Sequence, residues 1–380
     1  MGQTASVTSG QQQERRRRFR RQKKAPADNV HLEGDRLFGV TSQSSSHSNA
    51  QQPNGNFEDD IVENKNVDEN DRETYSADSV GEQDLDAEIY FDAVDEDPRF
   101  PLTLSAAHKY VDADEFSKQV AENEEAARAM WANSYSEAPA AIFSVRGPDY
   151  LKVAGKNMKD LKVPSQESPY EVVGVNMFHC ERRIRHVSDE VGELRRFFEA
   201  HPPPKDPNSL PTFLNINWIM SPLFGKECWV VNHVFRLKTG FSIDAPLLSA
   251  FKRFKNGTDS QKNNQFKYMF RIVDAPGPLK NTVSTLGGER PVIIGKSLTT
   301  TYNQGRNYLE INMDVSSSRI ASAINGILLK NMRSVVCDLG WLLEGQREEE
   351  LPERILAAVR FNWNCVEDVV VKLDQAGERL

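Results

Sequence analysis

Tyr308-Leu309-Glu310-Ile311-Asn312-Met313-Asp314-Val315 alternates polar and apolar residues without a break. That period of two belongs to a strand with unlike faces. Leu309, Ile311, Met313 and Val315 fall on one side; Tyr308, Glu310, Asn312 and Asp314 fall on the other. Ser316-Ser317-Ser318 then offers a helix N-cap, and Ile320, Ile324, Ile327 and Leu328 behind it share one helical face. A strand therefore runs into an amphipathic helix.

Working backwards, residues 298–302, 292–294, 266–273, 229–237, 212–220 and 170–178 read as further strands, with a short helix over 246–254. Residues 141–146 and 150–153 flank a Gly147-Pro148-Asp149 turn and suggest a tight hairpin, after a helix over 115–131. Working forwards, residues 334–343 are apolar on both faces around Asp338 and read as a buried strand. Pro352 suits the first turn of a last helix carrying Ile355, Leu356, Val359 and Trp363. Many strands with late helices predict an α+β fold: a curved, mainly antiparallel sheet packed against C-terminal helices.

The charge is segregated. Residues 1–56 carry a net +5, residues 57–97 a net −15, and the remaining residues a net +2. The near-neutral remainder argues against a nucleic-acid partner, which calls for a basic face on the folded part. Residues 1–97 are poor in large apolar residues and are expected to form a disordered N-terminal tail. Residues 98–380 are expected to form the globular domain. Four scattered cysteines, without a CxxC pair, suit reduced core thiols better than disulfides or zinc. The absence of an apolar run of about 18 residues excludes a membrane-spanning helix of the usual length.

The chain opens Met1-Gly2-Gln3-Thr4-Ala5-Ser6, the pattern for myristoylation of Gly2. Arg15, Arg16, Arg17, Arg18, Arg20, Arg21, Lys23 and Lys24 place eight basic residues within ten positions. One acyl chain holds a protein marginally, and a polybasic run is a usual second signal. The two together predict a peripheral, lipid-anchored protein on the cytoplasmic face of a membrane, with anionic lipids as partners.

Four blocks carry a resemblance. They are Trp131 with Phe143-Ser144-Val145-Arg146-Gly147 and Tyr150; Phe266-Lys267 leading to Gly277-Pro278; Gly295-Lys296-Ser297-Leu298 with Tyr302, Gly305-Arg306-Asn307-Tyr308-Leu309-Glu310-Ile311 and Asp314; and Glu350-Leu351-Pro352-Glu353-Arg354 with Val359-Arg360. Together they resemble the C-terminal domain of the plant enhanced disease resistance proteins. The resemblance implies a lipid- or membrane-associated regulatory domain without established catalytic residues. This chain departs from the pattern at Asn312, where an acid is usual, and at Ser316, where Gly is frequent. The 97 residues before the domain, read as a tail, are not expected to hold the lipid-binding modules that usually precede it.

Arg146, Tyr150, Lys267, Lys296, Tyr302, Arg306, Tyr308, Glu310, Asp314 and Asp338 are the candidate ligand or signature residues. The polar row Tyr308, Glu310, Asn312 and Asp314, with Asn215, Asn217 and His233 on other strands, would line a polar-tipped pocket or face water. Asp338, inside an apolar run, needs a partner, with Arg146, Lys296 or Arg306 as candidates. Gly295-Lys296-Ser297 lacks the spacing of a phosphate-binding loop. Adjacent His179 and Cys180 would point to opposite faces of a strand. The residues therefore predict no enzyme, metal or cofactor. They predict a protein that binds a lipid or other apolar ligand at a membrane, or alternatively a pocketless module that recruits a protein partner there.

Overall fold

The computed structural model describes residues 102–380 apart from 153–157, 205, 207–208, 222–226 and 286–290. Gly2, the basic run at 15–24 and the acidic tract lie outside the described residues. In chain order the strands are β1 (Lys109–Tyr110), β2 (Ser134–Glu137), β3 (Ser144–Arg146), β4 (Lys162–Pro164), β5 (Tyr170–Cys180), β6 (Phe213–Met220) and β7 (Cys228–Leu237). They continue with β8 (Phe266–Asp274), β9 (Val292–Ile293), β10 (Thr299–Gln304), β11 (Tyr308–Asp314), β12 (Val336–Leu343), β13 (Ile355–Asn362) and β14 (Val370–Leu373). The helices are α1 (Ala113–Glu122), α2 (Glu124–Trp131), α3 (Val187–Glu190), α4 (Gly192–Ala200), α5 (Ala245–Asn256), α6 (Asp259–Asn263), α7 (Gly277–Thr285), α8 (Arg319–Asn331) and α9 (Val366–Val369).

Two six-stranded sheets form the body of the α+β fold. The first runs β1-β2-β13-β12-β8-β9 and the second β10-β11-β6-β7-β5-β14. Most pairings are antiparallel, but β1/β2, β11/β6 and β14/β5 are parallel. Neither sheet closes on itself. Alternate residues of both sheets meet in one core, including Leu214, Ile216, Phe235, Leu309, Ile311 and Met313 from one and Phe270, Leu339, Trp341, Val359 and Phe361 from the other. The expected single curved sheet is thus two sheets face to face, and the helices lie around them.

Two local readings are corrected. Residues 355–362 form strand β13, flanked by β2 and β12, instead of a terminal helix. Ala357, Val359 and Phe361 enter the inter-sheet core, while Ile355 and Ala358 pack on the other face. A strand buried on both faces reads as a continuous apolar run, and periodicity cannot tell it from a helix. The partner of β3 is also β4, not residues 150–153. Gly340 lets this hairpin lie close, since a Cβ there would stand 2.9 Å from Cζ of Phe143.

The far face of the second sheet is covered by α3 and α4. Val187, Val191, Leu194, Phe197 and Phe198 pack there against Phe178, Phe213 and Ile219. Helix α5 starts at its N-cap Asp244 and buries Leu247, Ala250, Phe251 and Phe254 in the inter-sheet core. Helix α8 starts at its N-cap Ser318, whose hydroxyl accepts from Ala321 N–H, and has no buried residue.

Candidate apolar ligand site

A cavity of about 450 Å³ lies between the two sheets beneath α8. Alternation builds its walls: Met177, Trp218 and Val231 come from the second sheet, and Tyr268, Phe270, Cys337, Leu339 and Phe361 from the first. Ala321, Ile324, Asn325 and Leu328 of α8 form the roof. Trp218 and Tyr268 meet edge to face with ring centroids 4.9 Å apart. The polar groups at the lining are the Trp218 indole, the Tyr268 hydroxyl, the Cys337 thiol, Ser297, Ser318 and Asn325. Among the described residues no Asp, Glu, Lys, Arg or His lines it. The Trp218 N–H has no hydrogen-bond partner among the described residues. Burial pushes the Cys337 thiol well above its ordinary range, so it stays protonated. Ile320 lines the cavity and is 67% exposed, so the cavity reaches the surface at the start of α8.

Such a space suits an uncharged, largely apolar molecule. Its volume is that of a small-molecule pocket, and the described lining offers no charged side chain to compensate a charged group for its desolvation.

The polar row of β11 lies on the other face of the second sheet, turned away from the cavity, with Glu310 and Asn312 buried and Tyr308 and Asp314 half-buried. An amide ladder crosses the sheet there. Leu104 N–H donates to Asn176 Oδ1, Asn176 Nδ2 to Asn232 Oδ1 (3.1 Å), Asn232 Nδ2 to Asn217 Oδ1 (2.7 Å), and Asn217 Nδ2 to Asn312 Oδ1 (2.9 Å). At its end the buried Glu310 carboxylate accepts from Val187 N–H, Ser188 N–H, Asn303 Nδ2 and Asn312 Nδ2. The Tyr308 ring packs tilted on Phe198, centroids 4.5 Å apart, and its hydroxyl shares a 3.2 Å hydrogen bond with His186; burial raises that hydroxyl to about 12. Asp314 caps the turn at Ser316 and pairs with Arg183 at 2.6 Å. These residues join α3 and the adjoining loops to the sheet, so the expected polar-tipped pocket and the water-facing alternative are both corrected. His233 points to the inter-sheet side, where its Nδ1 meets Ile216 O at 2.9 Å beside Trp341.

Arg146, Tyr150 and Lys267 are brought together, in a charge cluster at one end of the first sheet. Arg146 Nη2 lies 2.6 Å from Glu344 and Lys267 Nζ 2.6 Å from Glu353, and the Tyr150 ring sits 4.7 Å from the Arg146 guanidinium. Burial lowers the Lys267 ammonium, against the pull of Glu353. The Glu-Leu-Pro-Glu-Arg segment at 350–354 acts as a clasp. Glu350 holds Arg253 of α5, Glu353 holds Lys267, and Arg354 holds Asp244 at 2.7 Å.

Asp338 is fully buried and ion-paired, but with Arg360 at 2.6 Å and Arg271 at 3.3 Å, its cross-strand neighbours on β13 and β8. Arg146, Lys296 and Arg306 are corrected as its partners. Tyr302 donates to Asn263 Oδ1 at 2.9 Å, and Lys296 and Arg306 are exposed in turns. None of the ten candidates lines the cavity. Its lining is made of residues that read simply as core; the one available signal was the apolar face of residues 319–331.

A family model described as "Protein ENHANCED DISEASE RESISTANCE 2, C-terminal" matches residues 135–363, from β2 to just beyond β13. The chain belongs to this family. An Arabidopsis thaliana protein named "Protein ENHANCED DISEASE RESISTANCE 2-like" is 27% identical over 214 residues. That match covers 56% of this chain and 27% of the relative, so this family member spans about a quarter of the relative's length. No solved structure gives a significant match.

Proposed function

We propose that the protein is a non-enzymatic regulator that binds a lipid or another apolar ligand between its sheets, at a membrane reached through its N-terminus. The observation that carries this reading is the cavity of about 450 Å³, lined among the described residues by no charged side chain. A pocketless recruiting module would fill that volume with side chains, since interiors pack densely. The ionisable clusters lie elsewhere and are engaged with one another, which supports binding over catalysis. Gly2 and the basic run at 15–24 would supply the membrane address.

Mass spectrometry of lipids co-purifying with the full chain tests the cavity. Leu339→Trp, which adds volume into the space, should leave a folded protein that has lost the co-purifying lipid and no longer binds a pyrene-labelled fatty acid. Equal lipid content in the variant and the wild type would remove the cavity from the mechanism. The tether is tested separately. Gly2→Ala should move a fluorescent fusion from membrane to cytosol, because a polybasic run alone binds weakly at cellular ionic strength. A Gly2→Ala protein that stays on the membrane refutes it.

A further inference from the structure

The helix over the cavity has an unusual composition for a cover. Arg319–Asn331 contains no acidic residue, and its charges are Arg319 at the start and Lys330 near the end. Lys296 stands beside Ser297 on the cavity lining, and the Ser317 hydroxyl accepts from Thr299 N–H, joining that rim to the start of α8. Lys296, Arg319 and Lys330 are exposed and form no ion pair among the described residues. Between these charges Ile320 is 67% exposed, a large apolar side chain left in water at the cavity's opening.

The attachment of α8 is also slight. It fully buries no residue, and Ala321, Ile327, Leu328 and Leu329 pack against the core only partly buried. Asn325 Nδ2 meets Met220 Sδ at 2.6 Å, and Ser322 Oγ donates to Val315 O in the preceding turn. Short 3₁₀ turns at Val315–Ser317 and Met332–Ser334 flank the helix. Gly326, with open space where a Cβ would stand, weakens it in the middle.

We propose that α8 is a lid that lies against an anionic membrane surface and opens the cavity to ligand from that membrane. A helix with basic ends, no acids and an exposed isoleucine has the chemistry of an interfacial helix. The apolar residues that now stand over a cavity would gain a bilayer boundary on opening, so the membrane offsets the cost of uncovering them. This rests on the apolar-ligand reading for its purpose, but its membrane contact can be measured without any ligand.

Ala323, exposed on α8, and Glu122, exposed on α1, are each changed to Cys in the full chain and labelled with a polarity-sensitive nitrobenzoxadiazole dye; the described native cysteines are buried. With phosphatidylcholine–phosphatidylserine vesicles the dye at 323 should shift to the blue, the dye at 122 should not, and pure phosphatidylcholine should have little effect. Ile320→Asp should abolish the shift. Uptake of a pyrene-labelled fatty acid from anionic vesicles should slow about tenfold in Ile320→Asp, the order expected for losing one apolar anchor. Uptake of the same probe from solution should stay unchanged. No shift at 323 with vesicles in excess overturns the proposal, as does wild-type uptake from vesicles by Ile320→Asp. If no protein takes up the probe even from solution, the apolar-ligand reading has failed, and the dye at 323 still decides whether α8 meets the membrane.

Discussion

Helices α4 and α8 lie on opposite sides of the second sheet. Of nine residues in α4, Gly192, Leu194, Phe197 and Phe198 are buried; of thirteen in α8, none is. Both present an apolar stripe inward. Under α4 the stripe meets the rings of Phe213 and Tyr308, and its neighbours are pinned by the Glu310 carboxylate. Under α8 the stripe is only partly buried against the core and roofs a cavity. An amphipathic helix thus reports that something apolar lies beneath it, without saying whether that is protein or space. The difference lies in what the sheet meets: a filled layer on one side, and on the other an open stretch between its Trp218 and Tyr268 of the first sheet.

The largest expected effect tests the filled side. Phe197→Ala should cost about 3–5 kcal/mol in urea unfolding, because the rings around it cannot close the hole. A loss below about 1 kcal/mol would put α4 in the same class as α8.

Acid should act next, through the inter-sheet side. Burial holds His108 and His233 down at about 4, whereas an unfolded histidine titrates near 6.5. Between those values the unfolded chain binds the extra protons, so stability is full above pH 6.5 and falls as pH drops towards 4. Each ring contributes roughly 3 kcal/mol to that loss. His233→Gln should flatten the decline in a urea series from pH 7 to 4; an unchanged slope would mean that His233 does not carry its share.

The smallest effect is expected on the open side. Leu328→Ala in α8 should change stability by under about 1 kcal/mol, since it enlarges an existing space without leaving a new one. A loss as large as that of Phe197→Ala would show that α8 is packed cover after all.

The strand at 308–314 and its two faces were legible, because alternation needs nothing beyond the chain itself. Leu309, Ile311 and Met313 do face the core. Which face would be capped by a helix depended on where α3 and α4 come to lie, so Glu310 and Asn312 could be mistaken for pocket residues. The partners of Asp338 are fixed by strand register, which pairs it with residues 22 and 67 positions away along the chain. Strand β13 was hidden because burial on both faces erases periodicity. The cavity was illegible for a plainer reason: Trp218, Phe270 and Leu339 are ordinary core residues, and a space is defined by what fails to fill it.

The clasp at 350–354 bears on how the chain must be assembled. Arg146 and Glu353 are 207 positions apart, Lys267 and Glu353 are 86, and Arg253 and Glu350 are 97. Contacts of such span reward the chain only after long loops have closed, which slows folding and prolongs the exposure of apolar strands. Until the last quarter of the domain has left the ribosome, Arg146, Lys267 and Arg253 have no acids from this segment to meet. A nascent chain halted before Glu350 would hold most strands of both sheets without the segment that ties the first sheet to α5, and would depend on chaperones until synthesis is complete.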